Sequence, residues 1–459
     1  MKNEAMQFLA PQAWVQGAWA TDVLLGVDAH GHWSHVQANA TPKQQVGATR
    51  LHGPVLPGVV NAHSHAFQRA IAGLTERRSS GAGAADDFWS WRDRMYSAAN
   101  RITPEQLEAI ASQLYAELLA GGYTQVCELH YLHNAQDGAA YADPAEMSLA
   151  LVRAAQRTGM GLTLLPTLYM RSGFTASGLR EDQRRFASTP DSIARVVEAV
   201  QTHSKNDPRI NVGVAIHSLR AVSAPALIGL AAYAKRGGLP VHIHIAEQTQ
   251  EVDDCLAHTG QRPIAWLLDH VDVDAHWNLV HATHTTPAEL AGVQARGASI
   301  VICPATEANL GDGVFDLPGY AALQGTWSVG SDSHVTRRWS EELRLLEYSQ
   351  RLTQRKRNVA AQTMGPLSSA GAMLEAALRG GHNATGLALD GLAVGQRADF
   401  CVVDAQSPAL LGVPADHVLD ALVFSSPDAR FSAVYVAGQP TPMHHHAGFV
   451  PAMRALWGD

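Results

Sequence analysis

Eight short apolar runs, each followed by a longer stretch of helical periodicity, constrain this chain more than any other feature. They read VLPGVVNAH (55–63), YTQVCELH (123–130), GLTLLPTL (161–168), INVGVAIHS (210–218), LPVHIHIAE (239–247), WNLVHATH (277–284), ASIVICPA (298–305) and TWSVGSDS (326–333). A nearly continuous apolar run suits a parallel strand buried on both faces. The stretches between carry helix start signals: segment 103–120 opens Thr-Pro-Glu-Gln, and segment 287–296 follows Thr286 as its N-cap. Eight strand–helix units in succession predict a (β/α)8 TIM-like barrel, because a doubly wound open sheet rarely uses eight consecutive units. The two ends differ. Residues 1–54 and 395–459 hold alternating patches such as AWATDVLLGVDAHGHW and ADFCVVDA. They predict a small β-sandwich-like domain built from both termini, around a barrel of residues 55–394.

Composition narrows the partners. Hydrophobic residues make up 46% of 459, enough for a sizeable core. Lys and Arg number 34 against 42 Asp and Glu, a net charge of −8, which argues against a nucleic-acid partner but leaves room for a small anionic substrate held by a few arginines. No apolar run approaches the roughly 18–20 residues of a membrane span. The N-terminus lacks an apolar leader core, and the four cysteines are scattered, so a cytoplasmic, reduced protein is expected. Three other features read as structural. RLTQRKR (351–357) is a solvated helix face. GAGA (81–84) lacks a preceding strand and a following helix, so it reads as a mobile insertion near the barrel mouth and not as a phosphate loop. His444-His445-His446 reads as an exposed tail feature.

The histidines decide the chemistry. Several fall at strand ends: His63 and His65, His130, His217, His244 (with Glu247 close behind) and His281, joined by Asp332 on the eighth run. In a barrel these ends form the face where active sites are built. Any one of these histidines alone reads as an ordinary core residue; their recurrence on five strands does not. In His63-Ser64-His65 the period of an extended chain puts two imidazoles on one side. A histidine of His242-Ile243-His244 completes the set, and the eighth strand of a closed barrel neighbours the first, which brings Asp332 within reach. Three imidazoles and a carboxylate suit one divalent metal, Zn²⁺ foremost, with Fe²⁺ as the other candidate.

This combination resembles the amidohydrolase superfamily in its deaminase branch: HxH on strand one, HxxE on strand five, His on strand six and Asp on strand eight, with the return GLAVGQRADFCVVD (391–404). The resemblance implies His63, His65, His244 and Asp332 as metal ligands. It implies Glu247 as catalytic acid, His281 beside the attacking water, and Asp332 also as general base. His242 then belongs to the other register of the strand or supports the ligands from behind. Strand four carries no lysine to bridge two metals, so a single ion is predicted. Three further segments, Phe67-Gln68-Arg69, the loop segment FWSWRDRMY (88–96) and His217-Ser218-Leu219-Arg220, together with ELHY (128–131), resemble the branch members that deiminate N-formimidoyl-L-glutamate in bacterial histidine degradation. That resemblance implies a small anionic amidine substrate and a homodimer. Arginine forks bind carboxylates bidentately, so Arg92 and Arg220 are the predicted carboxylate binders, with Gln68, Tyr131 and His217 supplying hydrogen bonds. Trp89, Trp91 and Tyr96 read as packing groups. Two other readings stand beside this one: a deaminase of guanine, cytosine or an S-adenosylhomocysteine-like nucleoside, and a non-catalytic scaffold that kept the barrel.

Overall fold

The computed structural model describes residues 6–77, 88–442, 444 and 446–458. The apolar runs supply the parallel barrel strands: Val59–Ser64, Tyr123–His130, Gly161–Leu168, the pair Ile210–Val212 and Val214–Ile216, Val241–Ile245, Trp277–His281, Ser299–Ile302 and Thr326–Val329. Each pairs with its sequence neighbour. The barrel closes through a parallel bridge between Ser64 and Asp332. There the Asp332 amide donates to His63 O at 3.0 Å and the His65 amide to Asp332 O at 3.3 Å. The seam of the barrel is therefore made by the same two segments that carry His63, His65 and Asp332. Gly330 is required at this seam, since a Cβ there would lie 2.6 Å from the His63 Cβ.

Helix starts follow the local chemistry. Thr103 caps Pro104–Ala120 and Thr286 caps Pro287–Ala295, each with a reciprocal capping box. Three expectations are corrected. The first run is not one strand: Val55–Pro57 pairs with Phe400–Val403 and joins the terminal sheet, and only Val59 onward enters the barrel. The run is apolar on both sides of the break, from Val55 to Val60, so hydrophobicity carries no boundary; the switch is made at Gly58, where a Cβ would meet the Thr124 side chain at 2.3 Å. The fourth strand is interrupted at Gly213, which packs too closely on Pro240 O for a side chain. The segment holding Arg92 is not a loop but a helix, Phe88–Ala99. Its aromatic and charged residues follow no clean apolar stripe, which hid it.

Both termini build one mixed sheet, in the order Gln439–Pro440, Phe431–Val436, Phe400–Val403, Val55–Pro57, Met6–Val15, Ala18–Val27, Trp33–Gln37. Its core is aromatic: Phe400 stacks on Tyr435 at 4.3 Å between ring centres and meets Phe8 edge-on at 5.3 Å. A buried Arg397–Asp399 pair joins it to the barrel, because Arg397 also donates to Gln125 Oε1 on the second barrel strand at 2.9 Å. No helix among the described residues is long and apolar enough to cross a membrane. Arg351 of the basic run is paired with Glu347 at 2.7 Å.

Candidate active site

His63, His65, His244 and Asp332 converge at the barrel seam. His244 Nε2 lies 3.0 Å from His63 Nε2 and 3.2 Å from His65 Nε2. Asp332 Oδ1 is 3.5 Å from the Nε2 atoms of both His63 and His65. The far ring nitrogens set the tautomers. His65 Nδ1 sits 2.8 Å from Leu129 O and His244 Nδ1 2.8 Å from His217 O. A carbonyl only accepts, so each Nδ1 carries the hydrogen and each Nε2 of a neutral ring presents a lone pair. Burial holds all three imidazoles below their usual pKa, with the neighbouring histidines adding to the effect at His63 and His244. Lone pairs facing one another at 3 Å repel unless a cation lies among them. The buried His63 Nδ1 has no hydrogen-bond partner. Three neutral imidazoles beside a carboxylate are a donor set that fits one divalent ion.

Beside this cluster stands a second, protonic one. His281 Nε2 is 3.7 Å from Glu247 Oε1 and 3.8 Å from Asp332 Oδ2. Burial alone lowers the His281 pKa, but the Glu247, Glu307 and Asp332 carboxylates outweigh it and push it up to about 10. Burial raises Glu247 to about 7, with Asp332 and Glu251 adding and His281 opposing. The buried Glu251 accepts from the amides of Ala246 and Glu247, both at 3.2 Å, and so fixes the turn that presents Glu247. The backbone is left-handed at Ala246 (φ 53°), His281 (71°), Ala282 (48°), Asp332 (45°) and His334 (66°). Such strain in non-glycine residues gathers where geometry serves a site.

Above the cluster lies a pocket lined by all five predicted substrate contacts: Gln68, Arg92, Tyr131, His217 and Arg220. Arg92 packs on the Trp89 ring at 4.5 Å, and Arg220 lies 5.6 Å from the same ring. Neither guanidinium forms an ion pair among the described residues, and the Nε of each is buried without a partner. Gln68 donates to the Tyr131 hydroxyl at 3.4 Å, which leaves its buried Oε1 unpartnered. Trp91 and Tyr96, read as packing groups, line the pocket as well.

Other residues sort differently. His242 donates to Ala384 O at 2.8 Å and faces the covering helix, as the other register requires. His130 does not join the cluster; its ring rests 5.7 Å from His133. His446 is not a free tail residue, for its amide donates to Gln113 Oε1 at 2.9 Å, while His444 is exposed. His445 and GAGA (81–84) lie outside the described residues. Sequence reasoning missed the supporting shell. Glu128 takes hydrogen bonds from Ser64 Oγ at 2.7 Å and from the Ala66 amide, clamping the His63–His65 turn, and burial pushes it up to about 7. His334 donates to His65 O at 3.0 Å. Tyr169 packs on His217 at 4.3 Å. Only the spacing of His334 from Asp332 and the position of Glu128 at a strand end hinted at these roles.

Comparison with known proteins agrees with this architecture. The model of the amidohydrolase family matches residues 55–441. A formimidoylglutamate deiminase of Pseudomonas aeruginosa is 45% identical over 97% of both chains. A 5-methylthioadenosine/S-adenosylhomocysteine deaminase of Halobacterium salinarum is 26% identical over 79% of this chain and 76% of its own. Among solved structures, an amidohydrolase from Brucella melitensis superposes with a TM-score of 0.89 at 42% identity over 98% of each chain. An adenosine deaminase from Xanthomonas campestris with bound zinc shares the fold, with a TM-score of 0.78 at 22% identity over 98% of this chain and 97% of its own. With the family model covering most of its length and close relatives along nearly all of it, this chain belongs to the amidohydrolase family and is a hydrolytic enzyme.

Proposed function

We propose that this enzyme hydrolyses N-formimidoyl-L-glutamate to N-formyl-L-glutamate and ammonia, as a step of histidine degradation, with one divalent metal, zinc before iron. The observation that carries the substrate is the pair of guanidiniums, Arg92 and Arg220, that line the pocket above the histidine cluster, make no ion pair among the described residues, and each bury an Nε without a hydrogen-bond partner. A dicarboxylate supplies the missing partners, and desolvated arginine–carboxylate pairs are directional and strong. The Pseudomonas aeruginosa relative, named for the same substrate, supports the reading.

His63, His65, His244 and Asp332 would hold the ion, which supplies a water acidified toward a pKa of about 7. Arg92 and Arg220 bind the two carboxylates and aim the formimidoyl carbon at the cluster, with Gln68, Tyr131 and His217 adding hydrogen bonds. Asp332 takes a proton from the attacking water. Glu247 delivers its proton to the imino nitrogen, and burial raises its pKa to about 7, within reach of a general acid at neutrality. His281 donates from Nε2 to the attacking oxygen and stabilises its charge in the tetrahedral adduct. The proton held by Asp332 then passes to the amino group, directly or through Glu247; the C–N bond breaks and ammonia leaves as the adduct's hydroxyl gives its proton to Glu247 and the formyl C=O forms, which returns both carboxyls to their starting states. The same reading carries a cytoplasmic homodimer that engages neither nucleic acid nor membrane.

The test is ammonia release from N-formimidoyl-L-glutamate, guanine, cytosine and S-adenosylhomocysteine, with metal analysis before and after chelation. Turnover of the first alone, lost with the metal, is expected. Preferential turnover of a nucleobase or nucleoside overturns the substrate, and metal-free protein that turns over none of the four marks a scaffold.

A further inference from the structure

His281 is caught between three carboxylates, but only one of them makes a hydrogen bond to its ring. Glu307 Oε1 lies 3.3 Å from Nδ1, whereas Glu247 and Asp332 stand 3.7 and 3.8 Å from Nε2. We propose that Glu307 is a positioning residue for the reaction: by holding Nδ1–H of His281 it selects the ring orientation in which Nε2 faces the reacting atoms. This rests on the reading above, in which His281 serves the attacking oxygen.

A half-turn of the imidazole about χ2 exchanges Nε2 with Cε1, and a carbon there donates no useful hydrogen bond. The two orientations have nearly the same shape, so packing alone discriminates poorly between them. A fixed acceptor at Nδ1 does discriminate, because it is satisfied in one orientation only. Glu307 is itself fixed. It sits in the helix Pro304–Leu310, which the N-cap residue Cys303 alone separates from the end of the seventh barrel strand at Ile302. Its Oε1 accepts from the Cys303 amide at 2.9 Å, its own amide donates to Cys303 O at 2.9 Å, and its carbonyl accepts from the Asp312 amide at 2.9 Å. The carboxylate is buried, 4% exposed, so water does not replace it. His281 has a left-handed backbone, φ 71°, so the direction of its Cβ is set by strained main chain and the remaining freedom lies in the ring.

The experiment is a double-mutant cycle with metal analysis and crystallography. E307L removes the acceptor at similar volume, and E307Q keeps an oxygen that can serve both Cys303 N–H and Nδ1–H. E307L is expected to lower kcat for N-formimidoyl-L-glutamate by about tenfold to a hundredfold, typical of a lost supporting hydrogen bond, with KM and metal content near wild type. E307Q recovers most of that loss. In an H281N background E307L costs nothing further, because the group it positions is gone. The neutron crystal structure of E307L, which tells ring nitrogen from ring carbon, shows the His281 ring flipped or disordered. An equal loss in both backgrounds, a wild-type kcat in E307L, or an unmoved ring overturns the proposal. If E307L does not fold, E307A, which removes the acceptor without adding bulk, carries the cycle with the same expectations, and a rate loss in E307A that persists in full in H281N overturns it. Failure of the wild type to act on N-formimidoyl-L-glutamate overturns the substrate assignment instead, while the ring orientation in E307L still decides the role of Glu307.

Discussion

The barrel mouth and the terminal sheet are both well buried, yet they are built on opposite terms. At the mouth, Asp332, Glu247, Glu307 and four histidines are taken out of water with their charges close together. In the terminal sheet the interior is Phe8, Phe400, Trp33 and Tyr435, and its buried Arg397 is paired with Asp399 at 2.6 Å. One region spends stability on reactivity; the other supplies stability and holds the barrel's first strand in place. Substitutions in the two regions should therefore move different observables.

The largest effect is expected from E247Q. Loss of the acid lowers kcat by about 10²–10⁴-fold, while the thermal midpoint is no lower than wild type, since a neutral amide replaces a carboxyl that burial disfavours as an anion. Steady-state kinetics and a thermal melt on one preparation check both halves, and a large drop in midpoint breaks the contrast. F400A is the mirror case. Removing a fully buried ring costs about 3–5 kcal/mol of stability, read by urea denaturation, with kcat/KM of the folded protein close to wild type.

Glu128 sharpens the comparison through pH. Its folded pKa of about 7 exceeds the ordinary value of 4.5, so the folded protein holds the proton more tightly than the unfolded chain. Its penalty is absent below about pH 4.5 and complete above about 7; stability falls as pH rises through that window, by up to about 3 kcal/mol. The urea midpoint of wild type relative to E128Q should decline across this range. A flat difference would remove the burial penalty from this part of the mouth. The smallest effect is at the rim: R220M raises KM for N-formimidoyl-L-glutamate about tenfold to a hundredfold, the worth of a charge-assisted hydrogen bond, with kcat less affected. An unchanged KM would take Arg220 out of carboxylate binding.

The parts of this site that were legible in the chain are those with a local signature. HxH at the end of an apolar run, HxxE on the fifth and Asp332 on the eighth are strand-end patterns, and a barrel obliges strand ends to meet. The rest had none. Glu307 matters through a contact with His281, 26 positions earlier in the chain. Helix Phe88–Ala99 carries aromatics around its circumference because it faces both the pocket and the protein, so no single apolar stripe marks it. The split of the first run at Gly58 is invisible in a stretch where every neighbour is apolar.

By itself the sequence determined the eight-unit barrel and the participation of both termini in a separate sheet, and it put His63, His65, the pair His242 and His244, and Asp332 on strands that a closed barrel brings together, because periodicity and strand ends are properties of neighbouring residues. The tertiary structure decided which nitrogen of each imidazole faces the cluster, which pocket arginines make no ion pair among the described residues, and which carboxyls burial pushes toward a higher pKa. Those depend on carbonyls, acids and burial contributed by residues far away along the chain, and burial is what turns a few ångströms of separation into a large electrostatic difference.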